Sequence, residues 1–359
     1  MKKLPLLFFA FLSVATCRAQ YVGLNSSEIK QLKQWVNTDA VTDKIVNSFF
    51  TKAKAALKEQ PNPRDTIVSE GHLNTHPDKI ASVQAMQDFN KIYALAITYT
   101  LKEEKEYLDK ATGFLKAWAT VNHPLGNPIN DTKLDRVVAA YDMLRSGISE
   151  ADRTIIDAWF TTMADAEIQS AKKGKTTSMN NWHSHRLKVV GEIGFLLNNK
   201  KYRDFATNGL MLQIDTNLNK DGSSWDFLER DALHYHAYDL EPMLTLAIII
   251  KRATNKDDFK YVSPKGSSIK KSVDWFVPYL TGEKPHAEYV NSKVAFDLAR
   301  AKNKEKGFEI GGSFDAANGL STLSLAAWFD DNYINTIKLI QKKENDLSDW
   351  QLILNKLMR

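Results

Sequence analysis

Two short polar windows interrupt an otherwise apolar-periodic chain of 359 residues. The first reads Ser178-Met179-Asn180-Asn181-Trp182-His183-Ser184-His185-Arg186 and opens a long helical pattern. The second reads Glu229-Arg230-Asp231-Ala232-Leu233-His234-Tyr235-His236-Ala237-Tyr238. Together they hold four of the eight histidines. Amides and imidazoles donate hydrogen bonds to an anion, a guanidinium adds fixed positive charge, and a phenol can carry a proton to or from a reacting atom. The two windows read as the walls of one active site for an anionic substrate.

Each of these residues also has a plainer reading. Asn180 and Asn181 sit where a helix N-cap is expected, and in regular helix Asn181 and His183 would point in opposite directions. Tyr238, in an apolar helix, could be a core residue whose hydroxyl finds a partner, and Tyr235 and His234 could be packing residues. The pairs His183-x-His185 and His234-x-His236 invite a metal site, but residues two apart on a helix diverge, and no metal or cofactor is expected.

Helical periodicity dominates the elements that must position these windows. Helices are expected from Ser26 to Val36, Asp43 to Leu57, Ala81 to Leu101, Glu104 to Thr120, Leu134 to Leu144 and Glu150 to Ala171. More follow after the first window, from Tyr202 to Leu218, Asp231 to Lys251, Ser267 to Leu280, Glu288 to Lys302, Ala317 to Phe329 and Asn332 to Leu357. Only short pieces such as Phe308 to Ile310 look extended. Roughly thirteen helices in antiparallel pairs, without a fixed-period repeat, point to an all-α incomplete α/α toroid rather than a solenoid. The polar loops at 61–80, with His72, and at 121–131, with His123, are placed to rim a cleft. Arg136 and Arg300 read as helix-surface or ion-pair residues.

Residues 1–19 carry Lys2 and Lys3, an apolar run from Leu4 to Ala15 and the small-x-small end Cys17-Arg18-Ala19, the pattern of an export signal. The expected organisation is therefore a signal peptide at 1–19 and one catalytic domain at 20–359, periplasmic or secreted. A rival reading anchors the chain by a lipid on Cys17. Cleavage after Ala19 would leave no cysteine, hence no disulfide and no thiolate nucleophile. It would also lower the net charge from +5 to +2 by removing three cations and no acid, too little to argue for nucleic acid as partner. No later run is long and apolar enough for a membrane helix. Oligomeric state is not legible.

The second window, continued through Asp239-Leu240-Glu241-Pro242, resembles the alginate lyase family of polysaccharide lyases. In that family an Asn-Asn-His element precedes Arg-Ala-Leu-x-Tyr-His-x-Tyr and a downstream Pro. Two departures are visible. Trp182 separates Asn181 from His183, and Arg230 lies one position before the family arginine, whose place Asp231 takes. The resemblance implies the toroid, a uronate polymer as substrate, and β-elimination: a proton leaves C5, the bond to O4 breaks, and an unsaturated sugar remains. The C5 proton is poorly acidic beside a carboxylate, so the site must neutralise that carboxylate and supply a base and an acid. By resemblance Asn181 and His183 hold the carboxylate, Arg230 adds positive charge, and Tyr238 is the base and acid, its pKa lowered by neighbouring cations.

Asn180, Trp182, His185, Tyr235, His236, His72 and His123 are then candidates for substrate binding. Mannuronate places the C5 hydrogen and O4 on one face, which suits a single tyrosine. Guluronate places them on opposite faces and asks for a second base, with His183, His185 and His236 as candidates. The rivals are a glycoside hydrolase using Asp221, Asp226 or Glu229, and a non-catalytic periplasmic glycan-binding protein.

Overall fold

A computed structural model describes residues 20–171, 175–342 and 349–359. The expected signal sequence at 1–19, and residues 172–174 of the link before the first window, lie outside the described residues. The chain starts with α1 (Ser26–Val36), α2 (Ala40–Ala56), α3 (Pro77–Ala85), α4 (Gln87–Lys102) and α5 (Lys105–Val121). It continues through α6 (Pro128–Asp131), α7 (Asp135–Leu144), α8 (Glu150–Ser170), α9 (Asn181–Leu196) and α10 (Lys200–Asn217). The second window spans the end of α11 (Trp225–Arg230) and the start of α12 (Leu233–Thr254), and α13 (Ile269–Leu280), α14 (Ala295–Lys302), α15 (Leu320–Ala326), α16 (Asn332–Gln341) and α17 (Trp350–Met358) follow. The starts follow local chemistry. Asn25, Ser149, Asn199 and Ser268 each accept a first-turn backbone N–H, and Asn25 forms a capping box with Glu28.

The differences from expectation have local causes. Ala81 to Leu101 divides into α3 and α4 at Met86, and the loop that precedes it ends at Pro77, which opens α3 with its ring at the first helical position. The helix expected from Glu288 begins only at Ala295. Residues 286–294 form a loop held by Asp231: its carbonyl accepts from Tyr289 N (2.7 Å) and its Oδ2 from Asn291 N (2.8 Å). Asn332 to Leu357 is not one helix, since α16 ends at Gln341 and α17 begins at Trp350. Phe308 to Ile310 joins no strand among the described residues, where pairing is limited to isolated bridges of Leu218 with Ser224 and Ala287 with Ser313.

Two apolar clusters fill the molecule. One gathers α1, α2, α4, α5, α7 and α8, the other α10, α12, α13, α15 and α16. α9 belongs to both, giving Val189, Val190, Ile193 and Leu196 to the first and Leu187 and Phe195 to the second; α10 also reaches the first through Tyr202, and α17 gives Ile353 and Leu357 to the first and Leu352 to the second. Accordingly 14 of the 16 residues of α9 are buried, the signature of a helix packed on all sides. α9 and α10 approach closely at Gly194, where an added Cβ would stand 2.8 Å from the backbone nitrogen of Arg203.

Candidate active site

Along the buried α9 the positions 181, 185, 188 and 192 share one face and carry Asn181, His185, Lys188 and Glu192, a polar stripe on a helix that is otherwise largely apolar. α12 repeats the device with His234, Tyr238 and Glu241. The two stripes meet at a cleft. The rings of His185 and Tyr238 lie 4.3 Å apart between centroids, and His234 lies parallel to Tyr238 at 6.2 Å. Lys133, on the turn before α7, holds its ammonium 5.9 Å from the centre of the Tyr238 ring.

Tyr238 and Glu241 line two adjoining cavities, one of about 620 Å³ towards residues 306–318 and one of about 340 Å³ towards α4 and α7. His185 and Lys188 line the second cavity and a third of about 510 Å³ beyond it. The loop carrying His72 reaches across to the far side through Asn74 N, which donates to Glu305 Oε1 at 2.7 Å.

The electrostatics of the pair differ from the expectation. Burial, with the charges of Glu70 and Glu241 and the neighbouring Tyr235, pushes the Tyr238 phenol up, and Arg300 opposes this only in part. The hydroxyl is therefore protonated in the free protein, not poised as a phenolate. His185 is pushed well below the usual histidine range by burial and by the cations Lys188 and Lys133. Its Nδ1 is 3.0 Å from Thr132 Oγ1, its Nε2 is buried from solvent, and the Tyr238 backbone opposes the downward shift. Lys188 Nζ donates to the Thr132 carbonyl at 3.3 Å, so one short turn orients both residues of the stripe.

A buried polar network fixes the register of the two helices directly beneath this pair. Ser184 Oγ donates to Asp239 Oδ1 at 2.6 Å, joining the residues next to His185 and Tyr238 in the chain. Gln213 donates to Ser184 and Asn217 to Asp226, each at 2.9 Å. Burial, opposed by the Asn217 and Asn181 amides, pushes Asp226 up to about 6. Burial and the Asp226 charge push Asp239 well above the carboxylate range.

Several residues expected in the site are placed elsewhere. Asn181 is buried at 2% exposure, with its amide nitrogen on Asp226 Oδ1 and its backbone N–H on Asp226 Oδ2 (2.8 Å), so it belongs to the supporting network. Asn180 caps α9 through Trp182 N, as the plainer reading had it, and Trp182 lines none of the three cavities. His183 turns towards Phe205 of α10 and lies 3.5 Å from Arg186 Nη1; burial and Arg186 push it down to about 4. His185, on the same face of α9 as Lys188, therefore meets Tyr238, and His183 does not.

Arg230 pairs with the buried Asp297 at 2.7 Å and covers the Tyr235 ring at 3.8 Å, facing none of the three cavities. Asp231 carries no catalytic charge either: it anchors the 286–294 loop. Tyr235 is buried, its hydroxyl accepting from Arg300 Nη1 at 2.6 Å. His236 is fully buried between Ser224 Oγ and the Ser272 carbonyl, each at 3.0 Å. His123 pairs with Asp65 on the surface, and His72 lies against His76 with ring centres 4.0 Å apart. The carboxylates of the hydrolase rival are also occupied. Asp221 holds Ser223, Asp226 sits in the network, and Glu229 pairs with Lys293.

Sequence reasoning missed Lys133, Lys188 and Arg300. Lys188 was readable from its place on the polar stripe of α9; Lys133 and Arg300 carry no such local signal. Arg300 was expected as a helix-surface or ion-pair residue: it is buried between Phe296, Phe308 and Tyr235, with its Nε 3.9 Å from Glu305.

A family model described as alginate lyase matches residues 42–286. Among solved structures, an alginate lyase from Bacteroides ovatus aligns over 94% of this chain and 99% of its own, with a TM-score of 0.68 and 14% identity. Alginate lyase A1-III from Sphingomonas species A1 aligns over 85% and 95%, with a TM-score of 0.54 and 18% identity. A tyrosine-to-phenylalanine variant of A1-III complexed with a tetrasaccharide aligns over 75% and 80%, with a TM-score of 0.55 and 18% identity. No curated protein sequence matches the chain. At these identities the structural likeness is one of fold, the α/α toroid.

Proposed function

Because the chain belongs to the alginate lyase family, and is thereby a polysaccharide lyase, we propose that it cleaves a uronate-containing polymer of the alginate or glucuronan kind by β-elimination at Tyr238 and His185. The observation that carries this reading is the contact of those two rings, 4.3 Å apart, at a cleft lined by Lys133 and Lys188. The two ammonium groups would neutralise the substrate carboxylate and stabilise the charge that develops on it, the part that Arg230, Asn181 and His183 were expected to play. Neutral His185 takes the C5 proton, the electron pair moves to form the C4–C5 double bond, and protonated Tyr238 delivers its proton to the departing O4. The single-tyrosine scheme would need a phenolate, which the buried and acid-flanked hydroxyl disfavours. Export to the periplasm or beyond accompanies this reading as part of the proposal.

The test is the ultraviolet absorbance of the unsaturated product on polymannuronate, polyguluronate and glucuronan. Tyr238→Phe and His185→Ala are expected to lose about 10²–10⁴-fold in kcat, while His183→Ala keeps kcat within about threefold of the parent. A His183 variant as inactive as the His185 variant, with its fold intact, would move the base back to His183.

A further inference from the structure

Two carboxyl groups are enclosed beneath the pair of Tyr238 and His185, and neither joins an ion pair among the described residues. Asp226 is 1% and Asp239 0% exposed. One amide serves both: Asn217 Nδ2 donates to Asp226 Oδ2 at 2.9 Å and to Asp239 Oδ1 at 3.4 Å. Two carboxylates that share a buried site cannot both ionise cheaply, so one of them keeps a proton.

The surrounding donors decide which. Asp226 also accepts from Asn181 N (2.8 Å) and from the Asn181 amide, lies in the first turn of α11 where peptide dipoles favour an anion, and feels the charge of Arg230. Asp239 adds to its long amide contact only the Ser184 hydroxyl, at 2.6 Å. Its Oδ2 is buried without a hydrogen-bond partner among the described residues, and so are Asn217 Oδ1 and Gln213 Oε1. The nitrogens of those two amides are committed to the carbonyls of Met179 and Asn180, so neither amide can turn round to donate in place of its oxygen. The cluster holds more enclosed acceptors than donors. The groups that reach Asp239 from α9 and α10 are uncharged, Ser184 and Asn217 with Gln213 behind Ser184, and the charge that acts on it is that of Asp226 on α11.

We infer that Asp239 is a neutral carboxylic acid in the working protein, and that in this form it is a positioning residue: its proton lets α12 lock to α9 through Ser184, which holds Tyr238 against His185. Both catalytic groups are chain neighbours of that link. The positioning role rests on the lyase reading of the site; the proton does not.

Asp239→Asn mimics the neutral acid and Asp239→Ala removes the link. An unfolded aspartate loses its proton near pH 3.9. Folding therefore takes up a proton above that pH in the parent, whose stability falls as pH rises, and takes up none at this position in Asp239→Asn. Asp226 has an uncharged neighbour in both proteins, so its own titration cancels. In denaturant titrations between about pH 5 and 8, the unfolding equilibrium constant of the parent relative to Asp239→Asn is expected to rise about tenfold per pH unit until the folded acid itself ionises. On whichever of polymannuronate, polyguluronate and glucuronan the parent cleaves, Asp239→Asn keeps kcat within about threefold. Asp239→Ala loses about tenfold or more in kcat with KM within about threefold, since Lys133 and Lys188 stay in place. If Asp239→Ala does not fold, the two measurements on Asp239→Asn decide. A relative stability that does not change with pH, or an Asp239→Asn protein that fails to fold or loses kcat tenfold, overturns the inference, and full kcat in Asp239→Ala overturns the positioning role. A parent that yields no unsaturated product overturns the lyase reading and the positioning role with it, while the pH dependence of stability still decides the proton.

Discussion

Tyr238 is kept protonated and His185 kept neutral by the same enclosure acting on groups of opposite charge type, since burial disfavours phenolate and imidazolium alike. The direction of each shift fixes how activity depends on pH. His185 works as a base only when neutral, so the rate falls as pH drops through its lowered folded pKa, below the ordinary histidine value of about 6.5. Tyr238 works as an acid only when protonated, so the rate falls as pH rises through its raised folded pKa, above the ordinary value of about 10. The expected kcat/KM profile is flat above about 6.5 and falls on the alkaline side first as Lys133, pushed below its ordinary value by burial and the Lys188 charge, loses its proton, and then as Tyr238 does. A rate that climbs steadily through the alkaline range would instead report a phenolate base. At this scale the sequence was half legible. Tyr238 was singled out by its motif, but the choice between His183 and His185 depends on where the first turn of α9 begins and so on which face each imidazole takes. Arg230 illustrates the same limit from the other side. A guanidinium beside the motif was visible, whereas its capture by Asp297, far along the chain, is a tertiary event.

At the scale of elements, the site depends on two helices held in fixed register, and the close approach of α9 to α10 sets where α9 lies. Gly194→Ala would force a methyl group to within 2.8 Å of the Arg203 backbone nitrogen, an atom that cannot rotate aside. The expected cost is about 1–3 kcal/mol, read as a lower denaturant midpoint at unchanged slope; a midpoint equal to the parent's would show that α10 yields freely. The helices themselves were largely readable, because apolar spacing and caps such as Asn25 and Ser149 mark their limits. The stretch from Glu288 to Val294 was not: it has helical composition, but Asp231 captures its backbone and Tyr289 takes a left-handed φ of 65°. The polar stripes at 185, 188 and 192 and at 234, 238 and 241 were present in the sequence. Read as a departure from apolar periodicity, they point to the cleft without any motif.

For the whole molecule, the cleft lies where two apolar clusters share a wall, which α9 builds together with residues of α10 and α17. Neither cluster is complete without it, so denaturant is expected to unfold the chain in one transition, with tryptophan fluorescence and far-ultraviolet circular dichroism coinciding. Two separated transitions would show that the clusters fold independently. Roughly thirteen helices were expected where the described residues form seventeen α-helices, and nothing in the expected ranges hinted that α9, α10 and α17 would be common property, since periodicity reports how many sides of a helix are apolar and not which neighbours cover them. The shared wall also bears on inheritance. Recombination that joins the front of one relative to the back of another must find α9, α10 and α17 acceptable to both partners, so lineages are expected to diverge by substitution around these shared helices and rarely by exchange of halves.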